Sequence, residues 1–232
     1  AVRLTAEIQG LAVAARNAAD GQSMVDTADG ALQETQTLLL RMRELAVQAS
    51  NGTLGDADKA ALEVEAGSLE AEIKRISDNT SWAGKKLLDG SFSGDMSVNT
   101  RTLQIGTTSG QTIELSIPDM AATAATIGYS VAHSIGSFTG AQSAIGSIDA
   151  ALSGVASVRG KLGGISNRLD STISNLDQVR VNLSAAKGRI MDADFAAETG
   201  NLAKNQILQQ AATAMLAQAN ASKNTVLNLL RN

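Results

Sequence analysis

Apolar residues return at every seventh position from Ile148 to Ile190: Ile148, Val155, Leu162, Leu169, Leu176, Leu183 and Ile190. Between them, at spacings of three and four, run Ala151, Val158, Ile165, Thr172, Val179 and Ala186, of which only Thr172 is polar. Two interleaved stripes of this kind are the a and d positions of a coiled-coil seam, the face one helix offers to another. At 1.5 Å per residue the segment predicts a rod of about 64 Å, too long to bury its seam against itself. The same rhythm recurs in Leu4, Ile8, Leu11, Ala15 and Ala18. After Gly21 it reads as a fresh register: Val25, Ala28, Leu32, Leu39, Met42, Ala46 and Ala49. A shorter helix carries Leu62, Ala66, Leu69, Ile73 and Ile76. A last one carries Leu208, Ala212, Met215, Ala219, Val226 and Leu229, with Leu202, Leu216 and Leu230 widening its face.

These patterns predict a helix from Ala1 to about Ser50, loosened at Gly10 and Gly21, then a turn at Asn51-Gly52. A second helix is expected from an N-cap at Asp56 to near Asn79. The stretch from Ser81 to Pro118 is punctuated by Gly84, Gly90, Gly94, Gly106 and Gly110. Within it Met96–Ile105 and Thr112–Ile117 read as strands of a hairpin turning through Thr107-Thr108-Ser109-Gly110. Residues 119–142 read as a loop with room for one short helix. The long helix is expected from about Ala141 to Arg189–Asp192, with Asp192 or Asp194 capping the final one. The fold class is therefore mainly α: a coiled-coil-like rod of three helices with a small β-hairpin region, and a C-terminal helical segment. The expected division is 1–89 for the N-terminal part of the rod, 90–142 for the short central region, 143–192 for the long helix and 193–232 for the last.

Composition narrows the function classes. The chain has 232 residues, a formal net charge of -4, 2% aromatic residues and no cysteine. Stacking platforms for sugars, bases or cofactors have little material, and nothing is basic enough to imply a nucleic-acid partner. Disulfides, thiolate metal sites and a cysteine nucleophile are excluded. No apolar run approaches a membrane span, so membrane insertion is not expected. The lone histidine, His133, reads as a solvated loop residue rather than a general base. Asp192, Asp194 and Glu198 lack the spacing and glycine turn of a calcium loop and read as capping residues. Gly160-Lys161-Leu162-Gly163-Gly164 lies inside a helix with no preceding strand, which is not a phosphate loop. No catalytic residue, cofactor site or metal site emerges, and the chain reads as a non-enzyme.

Several stretches resemble one family closely. They are Arg16-Asn17-Ala18-Ala19-Asp20-Gly21, Arg43-Glu44-Leu45-Ala46-Val47-Gln48-Ala49 preceded by Arg41, and Gly84-Lys85-Lys86-Leu87-Leu88-Asp89-Gly90. They continue in Asn167-Arg168-Leu169-Asp170-Ser171-Thr172-Ile173, Asn182-Leu183-Ser184 and Arg189-Ile190-Met191-Asp192-Ala193-Asp194-Phe195. Ile207-Leu208-Gln209-Gln210-Ala211, Leu216-Ala217-Gln218-Ala219-Asn220 and Leu229-Leu230-Arg231 complete the series. In this order they resemble bacterial flagellin over nearly the whole chain. The chain reads as an N-terminally truncated, compact form with a minimal central region, since Ala1 aligns within the rod domain.

The resemblance implies a structural subunit that polymerises with its own copies into the flagellar filament, extracellular and exported by the flagellar type III route. A cell-surface ligand-binding or adhesin role is the alternative. It implies that Ile148, Val155, Leu162, Leu169, Leu176 and Leu183 pack on the N-terminal helices. It implies further that Leu208, Ala212, Met215, Ala219, Val226 and Leu229 belong to an inner-tube helix held by an export chaperone before secretion. With the family's N-terminal inner helix outside this sequence, that helix is expected to lack a partner within the chain, and the fragment alone to build no filament. Recognition by a host Toll-like receptor maps onto Arg41, Leu45 and Glu65, expected as one outward patch. No cofactor, nucleic acid or membrane partner is implied.

Overall fold

The computed structural model describes residues 2–91, 100–117, 120, 134–191 and 195–230, with side chains of the last stretch described over 197–221. Four helices account for most of it: α1 (Val2–Ala49), α2 (Asp56–Asn79), α3 (Phe138–Met191) and α4 (Phe195–Leu230). Two antiparallel strand pairs complete the order, β1 (Ser81–Trp82) with β2 (Lys85–Lys86), and β3 (Thr100–Gln104) with β4 (Thr112–Ser116). The chain divides into two compact units, Val2–Leu183 and Ser184–Asn232. His133, Asp192, Asp194 and the Met96–Asn99 part of the expected strand lie outside the described residues.

In the larger unit the heptad rhythm is realised as burial. On α1, Leu11, Ala14, Ala18, Gly21, Val25, Ala28, Leu32, Thr35, Leu39, Met42, Ala46 and Ala49 are all buried. This three–four spacing runs through Gly21 without a break, so the second register expected after that glycine is the same register continued. Nor do Gly10 and Gly21 loosen the helix. A Cβ on Gly21 would lie 2.4 Å from Leu103 Cδ1 and 3.6 Å from Leu169 Cδ1, and one on Gly10 would lie 2.8 Å from Thr107 Cγ2. The two glycines admit the β3–β4 hairpin onto the surface of α1.

Helix ends follow local chemistry. The N-cap of α2 is Gly55, whose N–H donates to Asp58 Oδ2 at 3.3 Å, so Asp56 is the first helical residue rather than the cap. Asp56 and Asp58 then occupy the first turn, where the helix dipole favours negative charge. At α3 the cap is Ser137, whose Oγ accepts from Gly140 N–H at 3.1 Å and whose carbonyl accepts from Ala141 N–H at 2.9 Å. This starts α3 at Phe138, ahead of both the expected Ala141 and the boundary at 143.

β3 and β4 pair from Thr100↔Ser116 to Gln104↔Thr112. Ile113 and Leu115 are buried while Thr112, Glu114 and Ser116 face outward, the alternation of a one-sided hairpin. The β1–β2 pair was not expected from sequence. Its two central residues, Ala83 (φ 49°) and Gly84 (φ 77°), both adopt the left-handed conformation that suits a two-residue hairpin. An alanine there carries no obvious signal. The pair delivers Leu87 and Leu88 into the core, fully buried, where the Leu88 carbonyl accepts from Ser77 Oγ and from Met120 N–H, each at 2.9 Å.

Candidate assembly and recognition surfaces

The seam of α3 grades from core to surface along its length. Relative exposure is 2% at Ile148, 0% at Val155, Leu162 and Leu169, and 8% at Leu176; Leu183 is half-buried and Ile190 is 66% exposed. Ile148 through Leu169 share one core with α1, Ile73 and Ala66 of α2, and Ile113, Leu115 and Ile117 of the hairpin region. Leu176 and Leu183 pack in a smaller cluster with Leu11, Ala14 and Ala15. The stripe is thus apolar to Ile190 but buried only to Leu176, because the buried run on α1 starts at Leu11. Thr172, the one polar member of the second stripe, donates its Oγ1–H to Arg168 O at 2.8 Å within its own helix, which satisfies the hydroxyl locally.

Polar clasps flank that seam and run antiparallel. Gln22 Nε2 donates to Asp170 Oδ1 at 2.8 Å, and Arg43 Nε donates to Asp149 Oδ1 at 2.6 Å. Between them Arg159 makes a planar, two-pronged pair with Asp29 (Nε to Oδ1 2.8 Å, Nη2 to Oδ2 3.1 Å) and reaches Gln36 Oε1 with Nη1 at 2.8 Å. Hydrogen bonding to Asp29 raises the Arg159 guanidinium pKa, and hydrogen bonding from Arg43 holds the Asp149 carboxyl below the usual carboxylate range. Sequence reading missed these residues. They flank the stripes rather than form them, and pairing them requires the register between helices more than a hundred residues apart in the chain.

On the α1–α2 face, Arg41 Nε and Nη2 both donate to Glu65 Oε1, at 2.9 and 2.6 Å, while Nη1 donates to Glu44 Oε2 at 3.0 Å. The side chains of Arg41 and Glu65 remain 49% and 44% exposed. Leu45 does not join them: it is 1% exposed and part of the core. The expected three-residue outward patch is therefore an ion pair without its leucine. The reason is geometric. α1 packs here against both α2 and α3, so its buried face is wider than a two-stripe seam and takes in Leu45 beside Met42, Ala46 and Ala49.

In the smaller unit, α4 presents a different surface. Every described side chain from Ala197 to Ala221 is exposed, Leu208, Ala212, Met215 and Ala219 among them. Leu202, Ile207, Leu208, Met215 and Leu216 lie between 56 and 71% exposed. The side chains of Val226 and Leu229 fall outside the described residues. Among the described residues no group of His, Cys, Asp and Glu is placed to hold a metal ion, and no helix is long and apolar enough to cross a membrane.

Comparison with known proteins gives this arrangement a family. Residues 1–93 match the bacterial flagellin N-terminal helical region, and residues 145–230 match the bacterial flagellin C-terminal helical region. A flagellin of Halalkalibacterium halodurans is 45% identical over 229 residues, spanning 99% of this chain and 82% of that protein. The flagellin of Bacillus subtilis is 40% identical over 256 residues, spanning 99% and 84%. The crystal structure of Bacillus cereus flagellin superposes with a TM-score of 0.61 at 31% identity, covering 74% of this chain and 94% of that one. Its two halves matched on either side of a short centre, the chain belongs to the bacterial flagellin family.

Proposed function

We infer that this chain is a structural subunit of the bacterial flagellar filament, polymerising with copies of itself, rather than an enzyme. The observation that carries the inference is α4. A helix whose Leu202, Ile207, Leu208, Met215 and Leu216 stand more than half exposed has an apolar side in search of a partner, and a neighbouring subunit supplies one. The buried seam of α1 and α3 provides the rigid body that such an assembly repeats. Immunogold electron microscopy of the source cells tests this. Label along the whole filament, lost together with the filament on deletion of the gene, is the expected result. Label confined to the cell body, with filaments intact after deletion, would overturn it.

Two finer assignments go with this reading. The apolar side of α4, including Leu208, Ala212, Met215 and Ala219, is the surface a flagellar export chaperone covers before secretion by the type III route. The α1–α2 face carrying Arg41 and Glu65 is the part a host Toll-like receptor engages, with Leu45 supporting the face from beneath. The double variant Arg41→Ala/Glu65→Ala is expected to stimulate receptor-bearing cells less than the parent while keeping the parent's melting temperature. Equal stimulation would remove these residues from the contact.

A further inference from the structure

The turn between α1 and α2 carries the only Asn-Gly dipeptide in the sequence, Asn51-Gly52, with both residues exposed. Glycine usually earns a turn position by adopting a positive φ, as Gly84, Gly90 and Gly110 do here. Gly52 does not: its φ is not positive, and a Cβ built on it meets nothing within 4 Å. The fold would accept alanine at this position. What glycine supplies is chemical, an unhindered backbone nitrogen next to a side-chain carboxamide.

The local geometry prepares a reaction between them. Asn51 Oδ1 accepts a hydrogen bond from Thr53 N–H at 3.1 Å. The Gly52 nitrogen is a member of the ring which that bond closes, so the carboxamide is folded back over the peptide unit it would react with. The same N–H polarises the carboxamide carbonyl and would stabilise the negative charge that gathers on Oδ1 during addition. Among the described residues the Gly52 N–H has no hydrogen-bond partner, so none has to be broken first.

We propose that Asn51 is a self-modifying site, deamidated by its own backbone. The Gly52 nitrogen attacks Asn51 Cγ, an N–C bond forms, and Nδ2 departs as ammonia carrying the former Gly52 amide hydrogen. Water then opens the five-membered imide at either carbonyl. One product is aspartate; the other is isoaspartate, with the main chain rerouted through the former side chain. Either adds a negative charge just past the C-terminal end of α1, where the helix dipole disfavours it. The α1–α2 turn thereby records the age of each copy of the protein.

The test is to hold the full chain at mildly alkaline pH and physiological temperature, then examine its peptides by mass spectrometry and by isoaspartate detection. The peptide containing Asn51 is expected to gain the mass of an amide-to-acid exchange and to split into two isomers. Asn17 and Asn167, inside α1 and α3, are expected to keep their amides. Gly52→Ala is expected to leave the circular dichroism and melting temperature unchanged and to slow conversion roughly tenfold, a methyl group now crowding the nitrogen. Asn51 keeping its amide for as long as Asn17 and Asn167 do, or Gly52→Ala converting at the parental rate, would overturn the proposal.

Discussion

Two glycines nine residues apart on α1 have opposite meanings. Gly30 has open space where its Cβ would stand, while at Gly21 the space is taken by Leu103. Gly30→Ala removes backbone freedom from the unfolded chain at no steric cost and is expected to raise stability by about 1 kcal/mol. Gly21→Ala pushes the end of the Leu103 side chain off α1 and is expected to lower it by about 1–3 kcal/mol. Chemical denaturation of both variants checks the pair, and a stabilised Gly21→Ala would show that the hairpin does not press on that face. Leu169, with 0% exposure, lies on the other side of the same contact. Burying a leucine there contributes about 1.5–3 kcal/mol, and an unpaired carboxylate in its place costs several more, against a total of about 5–15 kcal/mol for a domain. Leu169→Asp is expected to abolish cooperative melting of the larger unit; an unchanged melting temperature would remove Leu169 from the seam. Leu169 was readable in the sequence because its period is its message. Gly21 was readable only as a helix weakness, since nothing local says which residue arrives from eighty positions away.

At the scale of elements, two carboxyls respond to pH with opposite signs. Asp149 is held low by its hydrogen bond from Arg43, so its contribution is present above the ordinary carboxylate range and is lost as pH falls through its lowered value. Glu70 on α2 is pushed up by burial, so ionisation works against the fold and the loss appears as pH rises through its raised value. Glu70→Gln is therefore expected to raise the neutral-pH melting temperature and Asp149→Asn to lower it, the gap between the two variants narrowing in acid. Melting curves across the acidic range read this directly; an Asp149→Asn penalty that persists unchanged in acid would mean the ion pair contributes nothing. The helices themselves were legible from apolar period and length, with α1, α2 and α3 ending within a few residues of expectation. The starts of α2 and α3 depended on Gly55, Asp58 and Ser137, whose short-range bonds compete with neighbouring candidates of similar chemistry. The β1–β2 pair was invisible because strands of two residues have no period to read.

For the molecule as a whole, the larger unit holds the buried core, while the described side chains of α4 are in water throughout. An isolated helix of that kind is marginal. In dilute solution the amides of residues 197–221 are expected to exchange orders of magnitude faster than those of Leu32, Leu39 or Leu162, and to slow on assembly; strong protection in a dilute monomer would contradict this. The apolar stripe of α4 was legible in the sequence, because its three–four spacing can be seen in one dimension. Sequence reading misplaced Leu45, because the width of a buried face is decided by how many neighbours a helix has. A heptad seam resembles a rack of identical teeth: displaced by seven residues, about 10 Å, leucines and valines still meet apolar neighbours and little tells the wrong mesh from the right one. Arg159, gripping Asp29 and Gln36 together, is the key that fits one tooth. Seven residues along, the place of Asp29 is taken by Gln22 in one direction and by Gln36 in the other, and the two-pronged pair is lost. Keyed in this way, the two helices resist sliding past each other by whole heptads, so part of a torsion applied to one is passed to the other.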